Sequence, residues 1–243
     1  MEPPSTNASG PDEEEGPREF VKYTFYRLRP EWRRLDRSTR EQGRATLSRL
    51  LEAPPGGLLL RTYSTVGTKA NADFALWMIA PELGPIQELH SRVLGTPLGG
   101  YLDTTYSYLG MARRSEYLGE HALEAQHGGT RRPFDLPYLF VYPFIKHREW
   151  YSIPFEERRR IMGEHFRIGH RYPNVRIHTG YSFGLDDMEF ILAFEAERPA
   201  EFLDLVSDLR PSEASRYTAL ETPIFTCLKA TPARMLELAE GLP

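Results

Sequence analysis

Cysteine is almost missing from this chain: Cys227 is the only one in 243 residues. One thiol excludes a disulfide framework within the chain and any cysteine-based zinc site. It lies in the apolar run Ile224-Phe225-Thr226-Cys227-Leu228, where a small buried hydrophobe is expected. No apolar stretch approaches the length of a membrane span. Positive charge is not in excess either. Thirty Lys and Arg face 34 Asp and Glu, a net charge of −4, so there is no general electrostatic reason to bind nucleic acid or an anionic membrane. A local basic pocket for an acidic ligand is still allowed. The N-terminal segment lacks a basic start followed by an apolar core, so no secretory signal is read there and the cytoplasm is the expected compartment.

What is present reads as a globular protein with an acidic, Pro-, Ser- and Gly-rich tail over 1–18, expected to be disordered. Residues 19–112 form a first half. It has a strand-like run at 19–28, a charged helical stretch at 31–52 stopped by Pro54-Pro55-Gly56-Gly57, and strands at 58–66 and 73–80. A helix at 82–94 and a tyrosine-rich strand complete it. Residues 113–137 form a connector punctuated by Arg113-Arg114, Gly128-Gly129 and Arg131-Arg132-Pro133. The order then repeats over 138–243: strand 138–146, helix 154–170, strands 175–183 and 188–195, helix 199–209, a helical turn at 211–217, strand 223–229 and a last helix at 232–240. Glu31-Trp32 and Glu149-Trp150 follow the first strand of each half, an internal echo in register with the repeated order. The expected fold class is α+β: two ferredoxin-like β-α-β-β-α-β halves with facing antiparallel sheets, a dimeric α+β barrel with helices outside.

Two features carry chemistry. On the helix over 154–170, Ile161, Met162, His165, Ile168 and Gly169 share one stripe, while Arg158, Arg159, Glu164 and Arg167 lie outside it. A histidine among inward-facing apolar residues needs a partner for its ring nitrogens: a hydrogen bond, a metal or a cofactor iron. In the strand Tyr138–Lys146, two-residue alternation places Tyr142, Phe144 and Lys146 on one face. A phenol there can give up a proton or a hydrogen atom, and an ammonium can pair with a carboxylate. The bland alternative is an outer sheet face where both groups meet solvent.

Six segments occur in order: Tyr142-Pro-Phe-Ile-Lys146, Glu149-Trp150-Tyr151, Arg159-Arg160-Ile-Met162-Gly-Glu164-His165, Tyr181-Ser-Phe-Gly-Leu-Asp-Asp187, Leu209-Arg210 and Pro223-Ile-Phe-Thr226. Together they resemble the chlorite dismutase-like superfamily of haem proteins, and its coproheme decarboxylase branch in particular. The resemblance covers nearly the whole chain after the tail and is strongest over 138–226.

The resemblance implies specific roles. His165 is the proximal ligand of a porphyrin iron, with Glu213 as the carboxylate that sets its tautomer. Tyr142 is the redox tyrosine and Lys146 holds a propionate. Arg210 and Ser215 lie near the porphyrin edge and its propionates, and Trp150 lies close to the macrocycle. Chlorite-splitting relatives carry a distal arginine one strand on; counted back from Gly184, that position is Ile177 here. An aliphatic side chain cannot steer an oxyanion. Arg176 and His178 flank it, and alternation points both to the opposite face unless a bulge shifts the register.

The implied activity is therefore hydrogen-peroxide-dependent decarboxylation of two propionates of iron-coproporphyrin III to give haem b, through a radical on Tyr142. The alternatives are a chlorite dismutase or haem peroxidase, or a non-catalytic haem-binding or sensing protein. The implied partners are the porphyrin and peroxide, with a homo-oligomer, a pentamer in many relatives, and no nucleic acid. Among the other histidines, His170 is expected to interact with the end of its helix. His90, His121 and His147 are expected at the surface, and His127 on the connector is a candidate peroxide-activating base. Arg113-Arg114 and Arg131-Arg132 read as solvated charges, one or two of which a four-propionate substrate could draw inward. Asp186-Asp187 reads as a turn between strands.

Overall fold

A computed structural model describes residues 18–113, 117 and 132–242. The acidic tail to Gly16 and Pro17, Arg114, His121, His127 and Arg131 lie outside the described residues.

The first half contains strands β1 (Phe20–Leu28), β2 (Leu59–Ser64), β3 (Phe74–Ala80) and β4 (Leu102–Ala112), with helices α1 (Arg37–Glu52) and α2 (Leu83–Leu94). The second contains β5 (Tyr138–Lys146), a short α3 (Glu149–Ser152), α4 (Phe155–Gly169), β6 (Arg176–Tyr181) and β7 (Phe190–Ala196). It continues through α5 (Pro199–Leu209), β8 (Thr218–Leu220), β9 (Phe225–Lys229) and α6 (Pro232–Glu240). The strands run β7-β6-β4-β1-β3-β2-β9-β5-β8, and β7 also pairs with β5, closing eight of them into a ring. The two expected ferredoxin-like sheets are thus present, β4-β1-β3-β2 and β6-β7-β5-β9. They are joined edge to edge by antiparallel pairs β4–β6 and β2–β9. Among the described residues, closure leaves no long strand edge open to pairing with another chain.

Alternation sorts the strand residues into two layers. Val21, Tyr23, Phe25, Trp77, Leu139, Val141, Ile191 and Phe225 point into the barrel. Its interior is filled: the rings of Phe25 and Phe225 stack with centroids 3.8 Å apart, and those of Tyr23 and Trp77 at 5.5 Å. Cys227 is fully buried there, as expected, and burial pushes its thiol pKa up. A large ligand therefore has to bind outside the barrel, between sheet and helices.

The helical stretch expected at 31–52 is interrupted. A 3-10 turn over Pro30–Arg34 ends at Leu35, and Asp36, in extended conformation, restarts the chain as α1 by accepting the Thr39 amide at 2.9 Å. His90, expected at the surface, is half-buried instead. Its Nδ1 is hydrogen-bonded at 2.8 Å to the hydroxyl of the fully buried Tyr26. That correction has a simple cause: Ile86, Leu89 and Val93 turn α2 onto the sheet, and His90 lies at the edge of the same stripe.

One buried carboxylate holds the end of the connector. Glu195 faces the barrel side of β7 with no exposed surface. It accepts the amides of Phe134 (2.7 Å), Asp135 (2.9 Å) and Leu136 (3.2 Å) and meets His178 Nε2 at 2.8 Å. Removing it leaves three amides and an imidazole without that acceptor. Glu195→Ala is expected to cost about 3 kcal/mol, read as a lower urea midpoint at unchanged slope. Glu195→Gln, which keeps one acceptor oxygen, should cost less.

The two halves differ in what covers their outer faces. The sequence echo is exact in spacing: β1 and β5, Trp32 and Trp150, and Leu47 and His165 each stand 118 residues apart. In the first half α6 packs against α1, β2 and β3, and its Met235, Leu236 and Ala239 complete a dry core around Leu47. In the second half α4 leans mainly on α5 and on the 3-10 turn Glu213–Tyr217 rather than on strands. Of the side chains on α4 only Ile161 is fully buried.

Candidate functional site

The stripe Met162, His165, Ile168 and Gly169 is half-buried along α4. Of their first-half counterparts, Leu47, Leu50 and Leu51 pack into the core that α6 completes, while Arg44, the counterpart of Met162, pairs with Glu240. Burial, and secondarily the charge of Lys146, lowers the His165 pKa to about 4, so the imidazole is neutral at physiological pH. Among the described residues no hydrogen bond to its ring nitrogens is present. Among the described residues its ring meets that of Phe166 edge-on, with centroids 6.1 Å apart.

On the facing strands Tyr142 is buried in an aromatic layer with Phe140, Phe194 and Phe202, its ring stacked on Phe194 at 6.0 Å. Desolvation raises its pKa; the nearby charge of Arg210 acts in the opposite direction. Arg210 caps the end of α5 and is ion-paired with Glu221. Lys146 is half-buried at the end of β5. Its ammonium lies 4.4 Å from the centre of the Trp150 ring and 5.4 Å from that of Phe144, and donates to the carbonyl of Ala214 at 3.1 Å. Burial lowers its pKa to about 8, against the pull of Glu189. Ser215, half-buried in the 3-10 turn, is the next residue but one to Glu213 and adjoins Ala214.

Ile177 is on β6, paired with Phe194 of β7, which is paired in turn with Phe140 of β5. These registers put Ile177 on the same sheet face as Tyr142, two strands away, and it is 42% exposed. The register of β6 runs without a bulge. His178 consequently points to the other face, where it is buried against Trp77 and Glu195. Arg176, next to Ile177 on the other side, lays its guanidinium over Phe134 at 5.1 Å.

The structure therefore gathers His165, Lys146, Trp150 and the turn carrying Ser215 into one corner, with Tyr142 and Ile177 on the adjoining sheet face. It places Glu213 differently from the expected contact. The Glu213 carboxylate pairs with Arg160 at 2.7 Å, and its amide donates to Glu164. Two residues that sequence reading passed over belong to the same corner. Glu189, a buried carboxylate, accepts the Lys146 amide at 2.8 Å and the Tyr151 hydroxyl at 2.7 Å. Its only sequence signal is a lone acid at the start of an apolar strand. Tyr117, from the connector, stacks on Phe155 at 5.8 Å and meets Trp150 edge-on at 6.3 Å; no pattern marks it. Arg113 lies over the Tyr181 ring at 5.6 Å, His147 is exposed, and His170 ends α4. Asp186 accepts the amides of Leu109 and Asp187 in the turn before β7.

Among the described residues no cluster of three His, Cys, Asp or Glu is placed to hold an ion. A lone neutral imidazole would suit an iron whose remaining ligands come from a macrocycle, and by itself it would not hold a bare ion. Among the described residues no helix is long and apolar enough to cross a membrane.

Comparison with known proteins identifies the family. The chlorite dismutase family model matches residues 40–230. The coproheme decarboxylase of Mycolicibacterium smegmatis is 37% identical over 179 residues, 70% of this chain and 73% of the relative. That of Staphylococcus carnosus is 30% identical over 165 residues, 63% of this chain and 66% of the relative. A solved variant of chlorite dismutase from Candidatus Nitrospira defluvii superposes with a TM-score of 0.83 at 25% identity, covering 91% of this chain and 95% of that one. With one family matched from α1 to the end of β9 and the same barrel in a solved relative, the chain belongs to the chlorite dismutase family.

Proposed function

We propose that this chain is a coproheme decarboxylase, which turns two propionates of iron-coproporphyrin III into vinyl groups with hydrogen peroxide and releases haem b. The observation that carries this reading is the half-buried, neutral His165 on a helix held off the sheet face that bears Tyr142, with Lys146 at its corner. Bound in a cleft between α4 and that sheet face, the substrate's own iron would supply the centre at which peroxide is reduced.

Each remaining task falls to a side chain. His165 holds the iron through a neutral nitrogen. Lys146, a cation beside aromatic faces, grips a propionate and fixes its orientation. Tyr142 is kept as the neutral phenol by burial, so its oxidation gives up an electron and a proton together. The resulting phenoxyl takes one hydrogen atom from the propionate β-carbon and returns to tyrosine. One more electron leaves, the bond to the carboxyl carbon breaks, carbon dioxide departs and a vinyl is left. One peroxide accepts the two electrons and becomes two waters, so two peroxides serve two propionates. Ile177 provides no donor for an oxyanion on this face, which separates the reading from chlorite chemistry. Two further parts of the reading come from the relatives' family alone: a homo-oligomer, pentameric in form, and work in the cytoplasm. Glu213 is retained as a carboxylate acting through α4 and the turn of which it is the first residue, Arg210 and Ser215 as groups at the porphyrin edge, and Trp150 as a wall of the cleft.

The test is an absorption titration of the purified protein with iron-coproporphyrin III, followed by peroxide and mass spectrometry. Two successive losses of a carboxyl group are expected; a protein that takes up the porphyrin and never loses carbon dioxide overturns the reading. Lys146 adds a pH signature. In the free protein its charge is lost as pH rises through about 8. Affinity for the tetra-acid should therefore fall between roughly pH 8 and 10. Lys146→Met should bind about tenfold more weakly at pH 7 and show no such fall.

A further inference from the structure

Phenols differ in how easily they lose an electron, and the difference lies in where the proton goes. An oxidised phenol is a strong acid, so the electron leaves readily where a base takes the proton in the same step. Among the described residues the Tyr142 hydroxyl has no acceptor, and those of Tyr63 and Tyr108 inside the barrel are buried without a partner. Tyr151, on α3, is different. It donates at 2.7 Å to Glu189, a carboxylate only 7% exposed. The other oxygen of that carboxylate makes no hydrogen bond among the described residues and lies 3.5 Å from the Arg148 guanidinium, so it has lone pairs free for a proton. Two more phenols have a base at hand. Tyr26 meets His90 at 2.8 Å, but under α2 in the first half. Tyr172 donates to Asp208 at 2.5 Å, but that carboxylate is partly exposed and shared with Arg171 at 3.0 Å.

Tyr151 is also joined to the sheet face that carries Tyr142. Its ring meets Phe183 at 6.1 Å, Phe183 meets Phe190 at 5.0 Å, and Phe190 meets Phe144 at 6.1 Å, centre to centre. Phe144 is the next residue after Tyr142 on that face of β5.

We propose that Tyr151 and Glu189 form an exit for oxidising equivalents: when hydrogen peroxide reacts at the porphyrin and no propionate is left to convert, Tyr151 gives up an electron and Glu189 takes its proton. This rests on the peroxide-using porphyrin site proposed above and deepens it. In the step, phenol and carboxylate become phenoxyl and carboxylic acid, and the electron goes to the centre that peroxide has oxidised. Two such electrons and two protons turn one peroxide into two waters. Tyr151 is 37% exposed, so a small one-electron reductant in solution can reach the phenoxyl. It supplies the electron, Glu189 returns the proton, and the pair is reset.

The experiment uses protein loaded with haem b, the product of the proposed reaction, so that carboxyl loss does not compete. Absorption confirms uptake by each variant. Peroxide is added, the sample is frozen, and electron paramagnetic resonance with ring-deuterated tyrosine identifies phenoxyl radicals. Tyr142→Phe is expected to keep a tyrosyl signal, and Tyr142→Phe/Tyr151→Phe to lose it. Tyr142→Phe/Glu189→Gln, which keeps the phenol and removes the base, should lose most of it as well. Tyr142→Phe/Tyr172→Phe should keep it. Equal signals in Tyr142→Phe and Tyr142→Phe/Tyr151→Phe overturn the proposal, and so does a Tyr142→Phe protein with no tyrosyl signal. An undiminished signal in Tyr142→Phe/Glu189→Gln removes Glu189 as the base and overturns it too. A wild-type protein that takes up no porphyrin sinks the reading of the site itself, a result distinct from these.

Discussion

Tyr142→Phe is expected to take up iron-coproporphyrin III as the wild type does and to release almost no carbon dioxide. The substitution keeps the ring that packs among Phe140, Phe194 and Phe202 and removes only the hydroxyl. Stability and porphyrin affinity should therefore barely change. A phenyl ring has no O–H to give up, so the step that takes hydrogen from the propionate loses its agent. A fall of about three orders of magnitude in the rate of carboxyl loss, ~4 kcal/mol of barrier, is the expected size. Mass spectrometry after a single addition of peroxide reads it directly. Carbon dioxide release at a rate near that of the wild type would remove Tyr142 from the mechanism.

The second large effect is at His165, and it has two readouts. With porphyrin, His165→Ala should lose axial ligation, seen as a displaced absorption band, and bind about a hundredfold more weakly, ~2.8 kcal/mol. Added imidazole should restore the band, because the cavity left by the side chain is open to the cleft. Without porphyrin, the same residue makes stability depend on pH. Its folded-state pKa, about 4, is below the ordinary value near 6.5, so between these values the unfolded chain binds the proton that the folded chain refuses. The contribution is fully present above pH 6.5 and is lost as pH falls toward 4, by up to ~3 kcal/mol. His165→Ala should flatten that part of the profile of urea midpoint against pH. A wild-type profile already flat between pH 4 and 6.5 would mean that the ring is solvated and the cleft is not as described.

Much of the arrangement was legible because it depends on local periodicity. Alternation along Tyr138–Lys146 put Tyr142 and Phe144 on one face, and the outer layer of the sheet has them there. The same alternation on β6 assigned Ile177 to the face of Tyr142 and His178 to the opposite one, and the unbroken register agrees. The apolar stripe of α4 includes His165, which is half-buried in the structure, but periodicity could not say what that stripe meets. Leu47, at the equivalent place on α1, lies on the same kind of stripe and is sealed by α6. Contacts between distant segments left no local trace. Nothing near Glu189 shows that it accepts the Lys146 amide 43 residues away. The pairing of Glu213 with Arg160 rather than with His165 is likewise a matter of how the 3-10 turn docks on α4.

By itself the sequence determined the two β-α-β-β-α-β halves, the side of each strand that is apolar, and the presence of an imidazole, a phenol and an ammonium at positions that chemistry could use. These follow from spacing, which the backbone geometry of helix and strand converts into faces without reference to anything remote. Only the tertiary structure decided that the sheets close edge to edge into a packed barrel, so that a ligand must lie outside it. It alone decided that α6 covers the outer face of the first half, while in the second half α4 rests on α5 and the turn Glu213–Tyr217. The reason is physical: which faces are covered depends on where a segment more than a hundred residues away comes to rest, and that is settled by long-range packing rather than by any local pattern.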